Sequence, residues 1–401
     1  MDYQSLLARR VAIELPALFR AGAAAPPGVI PLTYGFPDPD SFPIEELVEA
    51  AARVLRERGR DALQYGPIAG PAPFLDLLVA KLAGEGIPVG PDNLLVTASG
   101  SQGIDLITHL LVDPGDTIVV EAPTFIGALQ TFRNAEAECE EVPLDGQGMD
   151  TAALEALLAR LQRQGRRPKF IYTIPTFQNP AGVTLSRERR RHLVALARRY
   201  GTLVLEDDAY SELRLEGEPL PSLYALDPEG CVLQVRTFSK IVAAGLRLGY
   251  VVTPRALRPR LLQLKVDVGT SPFACHLVFA FAGETWGALD RLRAHIERLR
   301  GVYRERRDAM LAALAEYAPP GVEWTRPEGG FFTWLTLPEG LDAGDLLPRA
   351  AEAGVTYIPG ASYFARGSGA RHLRLAFCFL PPPQLVEGVR RLGRVIEAAR
   401  C

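Results

Sequence analysis

The chain has 401 residues, enough for two or three domain-sized units and a substantial buried core. With 48% apolar residues, 23% charged residues and a formal net charge of −3, it reads as an ordinary globular protein with no reason to expect a nucleic-acid or membrane-surface partner. The five cysteines form no C-x-x-C pair and no zinc-ligand spacing with the five histidines, so neither a metal site nor a disulfide framework is expected.

The start, Met1-Asp2-Tyr3-Gln4, lacks the basic and apolar pattern of a signal peptide. No apolar run reaches the ~18 residues that span a bilayer, and a cytoplasmic location is the expectation. An Ala/Gly/Pro stretch at 21–27 follows a short amphipathic segment at 11–20. It predicts an N-terminal arm over 1–44, leading into the turn Gly35-Phe36-Pro37-Asp38-Pro39 and completing the smaller of two domains.

From 45 to 285, short apolar runs alternate with helical patterns. Strands are expected at 94–97, 117–121, 170–174, 203–206, 232–235 and 248–252, and helices at 103–111, 151–164 and 186–200. Several of these strands are apolar throughout, as when helices cover both faces of a sheet. The texture predicts a large α/β domain with a mostly parallel, seven-stranded-type sheet. Basic runs at 187–191 and 304–307 read as solvated helix faces. From 286 to 401, a long helical pattern at 289–317, strands at 330–337 and 373–379, and a helix at 343–353 predict a smaller α+β domain.

Open α/β sheets bind ligands beyond the carboxyl ends of their strands, so the residues that follow each strand are the ones to compare. After 94–97 comes Ala98-Ser99-Gly100-Ser101-Gln102-Gly103 and a helix start, which suits an anion or simply a cap. It is neither a dinucleotide fingerprint nor a P-loop. After 170–174 comes Phe177-Gln178-Asn179-Pro180, read alone as a turn, and after 203–206 comes Asp207-Asp208-Ala209-Tyr210, read alone as a capping pair. After 232–235 comes Arg236-Thr237-Phe238-Ser239-Lys240, with Arg247 seven residues on. A lysine among apolar strands either snorkels to the surface or loses its charge to act as a nucleophile. Together these segments meet three needs of pyridoxal 5'-phosphate (PLP) chemistry: a lysine for a Schiff base, a carboxylate for the pyridine nitrogen and a cluster for the phosphate.

In this combination and order, the chain from about Leu32 to its end resembles the class I/II aminotransferases among the PLP enzymes of fold type I, in particular the 2-aminoadipate/kynurenine aminotransferase branch. The resemblance implies Lys240 as the residue that carries the cofactor through an internal aldimine and later moves the proton. It implies Asp207, three residues before Tyr210, as the partner of the pyridinium, with the adjacent Asp208 as the competing choice. Tyr210 and Asn179 are implied on the phenolic oxygen. Ser101, Gln102, Thr237, Ser239 and the fork of Arg247 are implied on the phosphate. Phe125 is implied as the ring stacked on the cofactor, where many relatives carry tyrosine.

Tyr65 resembles a residue that reaches the phosphate of a neighbouring subunit, which implies a homodimer with shared sites. For the substrate, Arg374 matches the α-carboxylate clamp, with Arg371 off the pattern and on the surface, and Gly35 matches a backbone position approaching the substrate. In aminoadipate-type relatives an arginine of the N-terminal helix reads the distal carboxylate. An ungapped count puts Leu18 there and Arg20 two residues off, so acidic, apolar and aromatic donors all stay open.

The implied activity is transfer of an amino group from an L-amino acid to a 2-oxo acid, by family default 2-oxoglutarate, in ping-pong half-reactions. A β-elimination lyase on the same scaffold is the alternative, since fold does not fix reaction type. A non-enzymatic PLP- or amino-acid-sensing domain is a third, weakened by the absence of a basic recognition helix.

Overall fold

The computed structural model describes every residue except Asp2, Arg9, 11–27, Pro228, Val268, Glu284, Trp286 and Cys401, so Leu18 and Arg20 lie outside the described residues. The short strand β1 (Ile30–Pro31) is followed by helices α1 (Ile44–Ala62) and α2 (Ala72–Gly84). The chain then alternates through β2 (Leu94–Thr97), α3 (Gly100–Leu111), β3 (Thr117–Ala122), α4 (Ile126–Asn134), β4 (Glu138–Asp145), β5 (Gly148–Met149) and α5 (Thr151–Arg163). The alternation continues through β6 (Phe170–Thr173), α6 (Arg187–Tyr200), β7 (Leu203–Asp208), β8 (Val232–Thr237) and β9 (Gly249–Val252).

These strands form one sheet in the order β2-β9-β8-β7-β6-β3-β4-β5. From β8 to β4 every pairing is parallel, and β9 runs antiparallel to both of its neighbours. Strands β2, β6 and β9 are buried at every residue, as their unbroken apolar runs require. The expected seven strands are accompanied by an eighth, the two-residue β5 that returns antiparallel against β4.

Strand β4 escaped the sequence reading because its apolar residues are interrupted by glutamates. Of these, Glu140 is buried and is held by Arg160, Arg166 and Arg366 at 2.9, 3.3 and 2.9 Å. Helix α3 lies close over the sheet because Gly103 has no side chain. A Cβ there would sit 3.0 Å from Val251 and 3.1 Å from Val235.

Helices α7 (Arg258–Leu264), α8 (Pro272–Phe281) and the 28-residue α9 (Asp290–Tyr317) lead into the second half. There β10 (Glu323–Trp324), β11 (Phe332–Thr336), β13 (Ile358–Pro359) and β14 (His372–Ala376) build an antiparallel sheet in the order β10-β11-β14-β13. Helix α10 (Ala343–Glu352) precedes β12 (Val355–Thr356), which pairs in parallel with β1, and α11 (Pro382–Arg400) packs on α9. The arm thus joins the second half through Ile30 and Pro31.

The basic runs are only partly solvated. Arg190 is 1% exposed and donates to the carbonyls of Leu185, Pro221 and Pro175, while Arg306 and Arg307 are buried against Asp38 and the Pro327 carbonyl. Each guanidinium ties together loops distant in sequence, a need that local charge density does not reveal. Among the described residues no helix is long and apolar enough to cross a membrane.

Candidate active site

Several of the expected residues lie at or just beyond the carboxyl ends of the parallel strands. At the end of β7, Asp207 is 8% exposed and accepts a hydrogen bond of 2.7 Å from the Tyr172 hydroxyl on neighbouring β6. Burial pushes its carboxyl up to about 6, with Asp208 adding to the rise and the Tyr172 hydrogen bond and Lys240 opposing it. Successive residues of a strand face opposite sides. Asp208 accordingly pairs with Arg236 at 3.1 Å and with the Ser211 hydroxyl at 2.8 Å, in a cluster that includes Glu85 and Glu212. These partners separate the two aspartates: Asp208 already has a cation, and Asp207 forms no ion pair among the described residues.

Lys240 follows β8 and is partly buried. Its Nζ donates to the Gly35 carbonyl at 3.1 Å and lies 5.5 Å from the centroid of the Phe331 ring. Burial pushes its ammonium down to about 8; Arg374 and Arg247 push the same way, while Cys378 and Asp207 oppose them. Its neutral fraction near neutral pH is therefore far larger than that of an ordinary lysine, as suits a nucleophilic amine.

Arg374, in the middle of β14, is fixed from both sides by pairing with Trp334 of β11 and Ile358 of β13. Its Nη1 donates to Asn179 Oδ1 at 3.1 Å and its Nη2 to the Thr33 carbonyl at 2.8 Å. Its guanidinium lies 4.1 Å from the centroid of the Phe332 ring, and its buried Nε finds no partner among the described residues. Tyr210 is buried, stacks edge-on against Phe331 and Phe332, and its phenol is pushed up by burial. Gly35 is required where it stands: a Cβ would meet Phe332 at 2.6 Å.

Of the expected phosphate residues, Thr237 lies beside the start of α3, 3.7 Å from where a Cβ on Gly100 would stand. Ser99 caps α3 by accepting from the Gln102 amide, leaving Ser101 and Gln102 in the first turn of the helix. The Gln102 side chain folds back to accept from the Ala98 amide at 2.7 Å and donates to Asp267 at 3.2 Å. Thr237 and Ser239 bond to each other at 2.9 Å beside this helix start. A Cβ on Gly249 would collide with the Ser99–Gly100 backbone at 2.6 Å, so the close approach of β9 to the turn depends on glycine.

Arg247 adopts a left-handed conformation (φ 49°), is exposed and donates to the Ala244 carbonyl at 3.2 Å. Phe125 caps α4 and is half-buried. Tyr65 is 82% exposed. Arg371 is exposed, as expected, and donates to the Leu337 carbonyl.

Several residues of this site were not expected from sequence. Tyr172 sits inside an apolar strand, and its only signal is a hydroxyl that a buried position obliges to find a partner. Phe331 and Phe332 read as core. Cys378 is buried, donates to the Phe36 carbonyl at 3.1 Å and is pushed up to about 12 by burial.

The donor set fits PLP. An unpaired buried carboxylate suits a pyridinium, the first turn of α3 with neighbouring hydroxyls suits a phosphate, and a partly neutral lysine suits an aldehyde.

The family model for aminotransferase class I and II matches residues 27–392. The aromatic-amino-acid aminotransferase 1 of Thermococcus litoralis is 42% identical over 92% of this chain and 88% of its own length. The multiple substrate aminotransferase of Thermococcus profundus superposes with a TM-score of 0.94 at 38% identity, covering 100% of this chain and 99% of that one. An alpha-aminoadipate aminotransferase from Thermus thermophilus, solved with N-(5'-phosphopyridoxyl)-L-leucine, superposes at 0.90 with 37% identity over 99% of both chains. The chain therefore belongs to the class I and II aminotransferases, and it is a PLP-dependent enzyme of fold type I.

Proposed function

We propose that this aminotransferase moves the amino group of an aromatic or long apolar L-amino acid to 2-oxoglutarate, with Lys240, Asp207 and Arg374 in the central roles. The observation that carries the assignment of roles is the approach of Lys240 and Arg374, from two different sheets, to the Gly35 backbone, with Asp207 close enough to act on the lysine. When bound, PLP supplies the electron sink that lets the proton leave the donor's Cα. Lys240 is the residue that holds the cofactor covalently and then, as a free amine, shuttles that proton. Its lowered basicity suits it to accept and return a proton near neutral pH.

Asp207 stays ionised against the pyridinium, aided by the Tyr172 hydroxyl. Arg374 binds the α-carboxylate as a fork and turns the Cα–H bond toward the lysine. A clamp that fixes the carboxylate disfavours decarboxylation. Asn179 and Tyr210 serve the phenolic oxygen. Ser101, Gln102, Thr237, Ser239 and Arg247 serve the phosphate, and Phe125 stacks on the ring. The aromatic trio Tyr34, Phe36 and Phe379, with centroids 5.3 to 6.4 Å apart beside Gly35, favours a flat or apolar side chain.

Tyr65, Leu63 and Val266 are 82%, 72% and 89% exposed, and the Gly66–Pro67 carbonyls lie against Gly269. An apolar patch of this kind beside the phosphate residues supports a homodimer in which Tyr65 serves the partner's site. We take 45–285 as the large domain, with 1–44 and 286–401 as the small one, and a cytoplasmic enzyme as the working assignment.

The test is the visible absorbance of the holoenzyme while single amino acids are added without acceptor. Bleaching by phenylalanine or leucine, reversed by 2-oxoglutarate, is the expected result. Release of ammonia without any 2-oxo acid would instead establish a lyase.

A further inference from the structure

Glu121 is the last glutamate one would place by sequence at an enzyme's working end. It lies at the end of β3, 2% exposed, and forms no ion pair among the described residues. Its three partners are all donors. The Thr173 hydroxyl gives 2.5 Å to Oε1, and the Ile174 amide and Gln178 Nε2 give 3.2 and 3.0 Å to Oε2. A buried carboxylate without a cation is costly, and burial pushes this one up to about 7 against those donors. The chain keeps the group where leucine would pack, so its partners are the place to look for its use.

Those partners lie at the end of β6 and on the loop that follows it. Gln178 Nε2 also donates to the Pro123 carbonyl at 2.7 Å, two residues before Phe125, and Gln178 Oε1 accepts from the Ala181 amide at 2.7 Å. The next residue, Asn179, accepts from Arg374 at 3.1 Å. Glu121 therefore joins the loop after β3 to the loop after β6, and through Gln178 it fixes the backbone that presents Asn179 to the guanidinium.

We propose that Glu121 is a positioning residue for the substrate clamp: together with Gln178 it holds the Asn179 loop against the Phe125 loop, and so aims Arg374 at the donor's carboxylate. The inference rests on Arg374 binding that carboxylate. Glu121→Gln can keep all three bonds, its oxygen accepting from Ile174 and Gln178 and its amide donating to the Thr173 hydroxyl, whereas Glu121→Leu removes both acceptors and frees the loop to shift.

The test is steady-state kinetics of the holoenzyme with the best amino donor, alongside Gln178→Leu and Arg374→Lys. Glu121→Leu is expected to raise the donor KM about tenfold with kcat changed less than about threefold, the signature of a displaced clamp, and Glu121→Gln to stay near wild type. The visible band of the bound cofactor should persist. Gln178→Leu, which cuts the link and keeps the carboxylate, should give the same split, and it decides the matter if Glu121→Leu does not fold. An unchanged KM in folded Glu121→Leu or Gln178→Leu, or parallel losses in kcat, cofactor retention and Tm, would overturn the proposal. If Arg374→Lys itself leaves KM unchanged, the clamp assignment fails first; if only Arg374→Lys raises KM, the clamp stands and Glu121 is excluded.

Discussion

The two sheets place their chemistry differently. In the large sheet, Asn179, Asp207 and Lys240 lie just beyond or at the ends of parallel strands, where the backbone turns and polar groups meet an opening. In the small sheet, Arg374 lies mid-strand between two antiparallel neighbours and reaches out by side-chain length alone. Strand ends can be varied without disturbing a ladder. A mid-strand arginine is held at fixed register, and any shift of β14 would turn it to the other face. In the proposed roles, the large sheet supplies groups for bond chemistry, and the small one supplies a gauge for the substrate.

Substitutions can break that division, from the most to the least severe. Lys240→Ala should abolish turnover and covalent cofactor while leaving circular dichroism unchanged; full activity would remove the lysine from the mechanism. Asp207→Asn should lower kcat/KM about ten- to a hundredfold, since a charge-assisted bond is worth ~1.5–3 kcal/mol. Asp208→Asn, on the opposite face, should cost less, and a reversal of that order would exchange their roles.

Arg374→Lys should act chiefly on donor KM, by about tenfold, because lysine cannot form the planar fork. A loss confined to kcat would contradict the gauge. Tyr172→Phe should be mildest, and its effect should depend on pH. The hydroxyl favours ionised Asp207, whose carboxyl is already raised to about 6, so its removal raises that value further. Relative to wild type, activity should fall between about pH 6 and neutrality and stay near wild type at pH 8, read as an acid limb of the kcat/KM profile moved to higher pH. An unshifted limb would mean that Tyr172 does not tune Asp207.

The same contrast explains what could be read beforehand. Lys240, Asp207 and Asn179 follow apolar runs abruptly, so they stand out as polar residues at strand ends. Arg374 was legible only through family likeness, since alternation in β14 also allows a solvated arginine. Tyr172 and Glu121 were hidden because their use depends on register between strands distant in sequence, Tyr172 opposite Leu205 and Val120 opposite Tyr172. Contacts such as that of Cys378 with the Phe36 carbonyl leave no pattern at all, because any residue can offer a carbonyl. Helix α8, apolar on nearly every side, could not be told from buried strand by periodicity.

The position of β2 has a consequence for the order of assembly. At the sheet margin its only strand neighbour among the described residues is β9, so the ladder of residues 94–97 waits for 249–252, and before that only the Val96 amide has a backbone partner, the Ala69 carbonyl. A nascent chain that has not yet delivered β9 cannot hold the first turn of α3 beside Thr237 and Ser239. The cofactor's anchorage is thus among the last parts of the large sheet to come into being, and PLP should report on completed folding instead of guiding its early steps.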